Sequence, residues 1–415
     1  MATDNKDKIQ FLIGKGVRIL NPGSVDIGED VNPDRISGDR VTIYPGCRIY
    51  GNDTLIMEGA TLGFEGPATI VNCQLGSGVE LRGGYFRRSV FLDRSSVGSG
   101  GQIRECCILE EESSCAHTVG LKQTILFPFV TLGSLINFCD CLMSGGTGRK
   151  NHSEVGSSYI HFNFSPNQDK STPSLIGDVP RGVMLNQAPI FLGGQGGLVG
   201  PSRIGFGTVI AAGTVFRRDS LEGGKLLLAG VIRRKELPLY PGLYRNVKQK
   251  TIHNINYIAN LIALRNWYRH LRPIFISGVG LQSELLKFGI DILDRAVEER
   301  VSRLIGFAEK LPISAEIYRK TMQGDDSSDV IIRKEQLFEF RHKVGDLLLA
   351  ARQREYGAES RDNFLAGVNR SRRGGKYIEE IQTLPYATTE QGIAWLQGIV
   401  DDLTGEALEI LPAFR

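Results

Sequence analysis

Four polar residues between 149 and 170 have side chains suited to a group-transfer site. His152 is a candidate general base, because a neutral imidazole has an unperturbed pKa near 6.5, close to working pH. Arg149, Lys150 and Lys170 are cations that could hold a phosphate group. The chemistry of these side chains is compatible with a site that binds a phosphorylated small molecule and removes a proton from it, whereas Lys170 is also compatible with a cap on a polar loop.

Two of the histidines have simpler interpretations. His152 lies in a glycine-rich segment and is equally compatible with a surface turn. His161 alternates with Phe162 and Phe164, and this pattern also fits a histidine that faces outward on a strand.

The elements that position these residues are predicted by a spacing of six. Apolar or small residues recur at this spacing twice, in Phe91, Val97, Ile103, Leu109, Cys115, Leu121 and Phe127, and in Leu192, Leu198, Ile204, Ile210 and Phe216. A period of six fits neither an amphipathic helix nor an alternating strand. It is typical of a hexapeptide β-helix, in which three short strands form a coil of about 18 residues. Polar stretches such as 163–174 interrupt the period, and interruptions of a repeat are where function concentrates.

Composition excludes several classes of function. The chain has 415 residues with a net charge of +3, which is too small to indicate a nucleic-acid or anionic-membrane partner. No apolar run approaches the roughly 20 residues of a membrane span, and the N-terminus lacks the apolar core of a signal peptide. We therefore expect a cytoplasmic protein. The 7 cysteines have no zinc-type spacing, so we expect reduced thiols that fill the coil interior and no metal site.

The composition changes after the repeat. Glycine becomes rare and helical spacing replaces the hexads, with predicted helices at 248–272, 281–311, 333–356 and 388–410. The last begins with a predicted capping box of Thr388 and Gln391. The predicted domains are an N-terminal cap or disordered segment at 1–10, a β-helix at 11–235 and an α-helical domain at 243–415. The fold class is thus mainly β, a parallel β-helix followed by helices.

The segment IHFNFSPNQDKSTPSLIGD and the later LVGPSRIGFGTVIAAGTVFRRD resemble the C-terminal acetyltransferase domain of the GlmU family. Matching positions include Asn163-Phe164, Lys170 and Ala211-Ala212. GRKNHSEVG resembles the family segment that carries its catalytic histidine. The resemblance implies a left-handed β-helix, a homotrimer with sites between subunits, and a role in UDP-N-acetylglucosamine synthesis.

The resemblance also implies roles for individual residues. His152 is the catalytic base. Arg149, Lys150, Asn163, Phe164 and Lys170 bind a sugar phosphate or nucleotide sugar. Ala211 and Ala212 face acetyl-coenzyme A, and Arg217 meets its phosphates.

Two departures from the family stand out. The segment before Phe11 is too short for the family's nucleotidyltransferase domain, so we expect acetyl transfer and no uridylyl transfer. The aromatic residue after Asn163 is Phe164, where the family has tyrosine, and a hydroxyl is therefore lost.

Two other functions stay open. β-Helices of the γ-carbonic-anhydrase family bind zinc through three histidines, and His117, His152 and His161 are the candidates here. A non-catalytic trimeric scaffold or a nucleotide-sugar-binding protein would equally explain a large helical appendage without catalytic motifs.

Overall fold

The computed structural model describes residues 5–167, 169–228, 236, 238–276, 280–322 and 328–415. Parallel strands from Arg18 to Leu227 stack into a β-helix of 11 coils, and helices follow. The predicted β-helix followed by an α-helical region is confirmed. The predicted end of the β-helix at 235 lies outside the described residues.

The β-helix is a three-sided prism, and its first face is an 11-stranded parallel sheet with one short strand from each coil. The strands are Arg18–Ile19, Thr42–Ile43, Thr61–Leu62, Glu80–Leu81, Ser96–Val97, Ser114–Cys115, Thr131–Leu132, Glu154–Val155, Phe191–Leu192, Val209–Ile210 and Leu226–Leu227.

The second and third faces belong to one sheet, because the strands of the middle coils turn the corner between them. Strands that run across both faces are Gly84–Phe91, Gly101–Leu109, Gly120–Leu126 and Asn137–Met143. The second face also contains Asp26–Ile27, Arg48–Tyr50, Ala68–Val71, Ile160–Phe162, Gly197–Val199 and Val215–Phe216. The third face also contains Leu55–Ile56, Gln74–Leu75, Ser174–Ile176 and Arg203–Ile204.

Each coil has three corners, which we name by their position in the coil that contains Asn137–Met143. The first corner joins the first and second faces, at 133–136. The second corner joins the second and third faces, at Asp140, which has a positive φ of 58°. The third corner joins the third face to the next coil, at 144–153.

The hexad residues form the interior of the prism. All seven members of the run from Phe91 to Phe127 are buried, and so are Leu192, Leu198, Ile204 and Ile210. Stacking of coils buries these ladders, so each coil is stabilised by its neighbours. Among the cysteines, all are free, and all except Cys139 are buried.

Helix α1 (Asn5–Lys15) covers the open end of the first coil. The buried Lys8 ammonium donates hydrogen bonds to the backbone oxygens of Gly28, Glu29 and Val31 at 2.6–2.8 Å. This one cation therefore satisfies three carbonyl groups at the end of the stack.

Helices account for most of the chain after residue 247. A short helix α2 (Val179–Gly182) interrupts the β-helix, and the helical region contains α3 (Val247–His270), α4 (Leu281–Ala308), α5 (Leu311–Met322), α6 (Asp329–Ala350), α7 (Ala358–Ser371), α8 (Tyr377–Gln382) and α9 (Tyr386–Ile410). The predicted capping box is wrong: α9 begins at Tyr386, and Thr388 lies buried within its first turn.

Helices α3 and α4 run along the prism, roughly parallel to the stacking axis. His253 contacts Asp219 near the last coils, and Tyr268 contacts Glu110 about five coils away. The helical segment between these two contacts spans about 22 Å, and five coils at about 4.8 Å span about 24 Å. Helix α4 packs in the opposite direction against the strands Gly84–Phe91 and Gly101–Leu109. Among the described residues, the helical region therefore leaves most of the first and second faces uncovered.

Candidate functional site

The third corner holds the predicted general base on a small antiparallel hairpin of Gly146–Gly148 and Asn151–His152. His152 Nδ1 lies 2.8 Å from the carbonyl oxygen of Arg149. Because a carbonyl oxygen only accepts, this bond places the proton on Nδ1 and leaves the lone pair on Nε2. Nε2 lies 3.6 Å from Glu154 Oε2, and the side chain is 20% exposed. In a neutral ring this arrangement leaves Nε2 as the nitrogen that can accept a proton, and the Glu154 carboxylate lies beside it.

Arg149 is bound to its own β-helix. Its guanidinium donates to the backbone oxygens of Glu112 and Phe129 and to the hydroxyls of Ser114 and Thr131, at 2.9–3.2 Å. These bonds fix the hairpin that carries His152. Lys150, the next residue, is exposed.

The second corner carries an insertion at 163–173, between the strands Ile160–Phe162 and Ser174–Ile176. Asn163 Nδ2 donates to Asp140 Oδ2 at 2.6 Å, one coil away. The return of the insertion is tightly packed against Gly200, where a Cβ would lie 2.1 Å from the carbonyl oxygen of Thr172. The two ends of the insertion, at Asn163 and Thr172, therefore contact the preceding coil and the following coil.

The helical region holds the other side of this insertion. Arg300 of α4 is 2% exposed and makes a 2.8 Å ion pair with the buried Asp140. It also donates to the carbonyl oxygen of Lys170 at 3.2 Å. Asn254 of α3 donates to the carbonyl oxygen of Ser171 at 3.0 Å. The segment that resembles a substrate-binding loop is thus also a docking surface for α3 and α4.

A cavity of about 380 Å³ opens at this corner. Its lining comprises Phe162, Phe164, Ser165, Pro166, Thr172, Val199, Gly200, Arg217 and Lys250. Phe162 is 40% exposed and Phe164 is 65% exposed. Two of the residues predicted for substrate and cofactor, Phe164 and Arg217, therefore meet in one cavity next to Asn163. We call it the second-corner cavity.

Lys170 does not line the second-corner cavity but lines a separate groove of about 490 Å³ between the insertion and α4. Its side chain is exposed.

Ala211 and Ala212 lie at the first corner, near the last coils. Ala212 is exposed, and the backbone of both residues lies so close to Gly193 that a Cβ there would approach it within 2.5 Å. This close stacking leaves no room for a side chain at position 193.

The predicted residues thus lie at all three corners. Asn163, Phe164, Lys170 and Arg217 are at or near the second corner, while Arg149, Lys150 and His152 are at the third. The strand segment Cys141–Met143 separates these two corners. Three residues of extended strand cover about 10 Å. Within one chain, His152 and Asn163 do not form one site.

The three histidines considered for zinc also lie apart. His117 is exposed, with Nδ1 2.9 Å from Ser134 Oγ at the first corner, and His152 is at the third. His161 is buried inside the prism, so an outward-facing position for it is wrong. Across the described ranges, no group of three or more histidine, cysteine, aspartate or glutamate side chains is arranged to hold a metal ion.

The buried position of His161 determines its protonation state. Its Nδ1 contacts the carbonyl oxygen of Cys139 at 2.6 Å, and its Nε2 contacts Ser174 Oγ at 2.8 Å. Burial lowers the pKa of this imidazole to about 4. His161 is therefore neutral at pH 7 and serves as a polar link between the second and third faces.

Sequence reasoning missed Asp140, Arg300 and Lys250. Asp140 is a single corner residue, and the other two lie on helices far along the chain, so no local pattern joins them. The asparagines among the apolar residues of α3 could have indicated polar contacts with the β-helix, because they occupy buried positions of the helix. Asn254 and Asn260 bond to the insertion and to the start of α2.

Comparison with known proteins places this geometry in context. No family model matches the chain. The chain is 30% identical over 213 residues to the bifunctional protein GlmU of Thermotoga maritima, which covers 51% of this chain and 42% of that protein. It is 26% identical over 208 residues to GlmU of Nitratidesulfovibrio vulgaris and 28% identical over 214 residues to GlmU of Staphylococcus haemolyticus. The resemblance to GlmU is confirmed.

The resemblance to GlmU concerns about half of this chain, and the matched segment spans about two fifths of the relatives' length. It supports an acetyltransferase-like β-helix. None of the helices in the described residues is long and apolar enough to cross a membrane.

Proposed function

We propose that the chain transfers an acetyl group from acetyl-coenzyme A to the amino group of a sugar phosphate or nucleotide sugar. The main observation in support of this proposal is that Phe164 and Arg217 line the same second-corner cavity, beside Asn163. An aromatic wall and a cation suit a phosphorylated ligand that bears a ring. The similarity to GlmU gives this cavity its proposed chemistry.

The reaction needs one base and two bound substrates. His152 Nε2 takes a proton from the acceptor ammonium or amine, and the nitrogen attacks the thioester carbonyl carbon. A C–N bond forms, the C–S bond breaks, and the coenzyme A thiolate leaves and takes up a proton. The backbone at Ala211 and Ala212 holds the acetyl end of the donor, and the second-corner cavity, with Arg217 and Phe164 beside Asn163, holds the phosphorylated part of a substrate. Lys170 lines the separate groove and does not contact that ligand.

The separation of His152 from Asn163 implies that neighbouring copies complete the site, so we propose a homotrimer. Apolar side chains on the two uncovered faces support self-association. Those on the second face are Ile160, Phe162 and Val215, and those on the first face are Phe191, Val209 and Leu226. Sedimentation equilibrium of the full chain tests this, and a monomer at all concentrations used in the activity assay would contradict it.

A second candidate is a nucleotide-sugar-binding protein that transfers nothing. It is favoured by Arg149, whose guanidinium is occupied by its own strands, and by the helices that hold the insertion. Such a protein would bind UDP-N-acetylglucosamine without consuming acetyl-coenzyme A.

The activity test measures release of the coenzyme A thiol from acetyl-coenzyme A in the presence of glucosamine 1-phosphate or a UDP-amino sugar. We expect His152→Asn to lower kcat by about 10²–10⁴-fold, since that is the usual contribution of a general base. His117→Asn, at an exposed histidine of the first corner, is the matched control and should retain activity. No thiol release by the wild-type chain with either acceptor would reject the transferase in favour of the binding protein.

A further inference from the structure

The second-corner cavity is not built by the β-helix alone. Eight of its nine lining residues come from the coils and the insertion, and the ninth, Lys250, comes from the first turn of α3. The helical region therefore contributes a charged side chain to the wall of the proposed substrate site.

Lys250 is held in place from several sides. Its ammonium lies 3.0 Å from Asp169 Oδ1, and its nitrogen lies 5.0 Å from the ring centre of Tyr244 and 5.2 Å from that of Phe307. The side chain is 14% exposed. Burial opposes ionisation of Asp169, but Lys250 and the Ser165 hydroxyl outweigh it and lower the pKa of that carboxyl. An ammonium has three N–H donors, and Asp169 takes one of them.

Arg217 is the other charged residue of the lining, and it lies on an exposed part of the wall. Within the described residues it makes no ion pair or hydrogen bond. The charged groups that face the cavity are therefore two cations, next to the exposed rings of Phe162 and Phe164. A phosphate between the cations and a ring against the aromatic wall would satisfy this arrangement.

We propose that Lys250 binds a phosphate group of a nucleotide ligand in the second-corner cavity, so that the helical region is part of the ligand site. This rests on the proposed function, whose donor, acetyl-coenzyme A, and acceptor class, the nucleotide sugars, both carry a base and phosphates. Lys250 and Arg217 contact the phosphate, and Phe162 or Phe164 contacts the base.

A structural role for Lys250 and a phosphate contact by Lys250 predict different effects of an Asp169 substitution on ligand affinity. If Lys250 serves only to hold the insertion through Asp169, loss of either residue loosens the insertion and weakens ligand binding equally. If Lys250 contacts phosphate, Asp169→Asn removes a competing negative charge and leaves the cation. Affinity should then be kept or increased.

The experiment is isothermal titration of the full chain with acetyl-coenzyme A and, separately, with UDP-N-acetylglucosamine. The variants are Lys250→Met, Lys250→Arg and Asp169→Asn, with Lys287→Met as the control for loss of one exposed lysine elsewhere in the helical region. We expect Lys250→Met to raise Kd about tenfold for at least one nucleotide, as loss of a charge-assisted hydrogen bond does. Lys250→Arg should raise it less than about threefold, and Asp169→Asn should not raise it. Thermal unfolding of each variant verifies that it is folded.

The outcomes separate the two proposals. An equal loss in Lys250→Met and Asp169→Asn, or the same Kd for Lys250→Met and Lys287→Met, would overturn the role of Lys250 while the proposed function stands. Loss with only one of the two nucleotides identifies the source of the phosphate and supports the proposal. Binding of nucleotides without acetyl transfer would reject the proposed reaction and keep the Lys250 site. Absence of binding for both nucleotides to the wild-type chain would reject both.

Discussion

The ion pair of Arg300 with Asp140 joins the helical region to the β-helix, and Arg300→Met should break that link. The two side chains are only 2% and 4% exposed, and the paired atoms are 2.8 Å apart. Without the guanidinium, Asp140 keeps the amide of Asn163 as a donor but loses its counter-charge. The carbonyl oxygen of Lys170 also loses a donor. Removal of one partner from a buried pair costs about 3–5 kcal/mol.

Denaturant unfolding followed by tryptophan fluorescence measures this cost in the relevant part of the molecule. The chain has 2 tryptophans, Trp267 in α3 and Trp395 in α9, so the signal reports on the helical region. Arg303→Met is the matched control on the same helix. Its partly exposed pair with Glu299 is spaced i, i+4. A pair of this kind should contribute about 0.5 kcal/mol or less.

The double variant Arg300→Met/Asp140→Asn distinguishes an uncompensated charge from simple loss of packing. Asn tolerates the positive φ at position 140 and carries no charge. We expect it to recover at least half of the loss. An Arg300→Met variant within about 1 kcal/mol of Arg303→Met would refute the claim that a desolvated ion pair docks the helices.

Two further substitutions test the first coil and the interior of the prism. Lys8→Met leaves three carbonyl oxygens at the first coil without their donor, and we expect a loss of about 1–3 kcal/mol. Hydrogen exchange should rise over residues 5–31, whereas the exposed Lys6→Met should leave it unchanged. His161 has a folded-state pKa of about 4 against an ordinary value of 6.5, so the unfolded chain takes up a proton first as the pH falls. Stability due to neutral His161 is therefore present above about pH 6.5 and falls by about 3 kcal/mol toward pH 4. His161→Phe should flatten the change in unfolding free energy between pH 6.5 and 4, and an unchanged slope would show that another group titrates there.

The coil architecture could be predicted from the sequence because it depends on a local repeat. The seven residues from Phe91 to Phe127 are six apart and all are buried, since each coil places the same position inside. Helices α3, α4, α6 and α9 were predicted for a similar reason, from apolar residues at helical spacing. Helices α5, α7 and α8 were not predicted from the sequence. Helix α8 is short, and α5 follows α4 after a break of only two residues.

The spatial arrangement of the site residues could not be predicted from the sequence. Phe164 and Arg217 were selected separately through resemblance to GlmU, and only the stacking of coils brings them to one cavity. His161 shows the limit of alternation as a guide. The pattern with Phe162 is real, but the side that faces the interior depends on register, and here the histidine is the interior member.

The length of α3 and α4 has a consequence for how this protein can change in evolution. Repeat proteins ordinarily gain or lose a unit without harm, because each unit contacts only its neighbours. Here Glu284 of α4 is paired with Arg35 near the first coil, and Arg300, further along the same helix, is paired with Asp140 about six coils further along the stack. Deletion of one coil between the two pairs would shift Asp140 by about 4.8 Å, close to the roughly 5.4 Å of one helical turn. Coil number and helix length must therefore change together, by one coil and about one turn at a time.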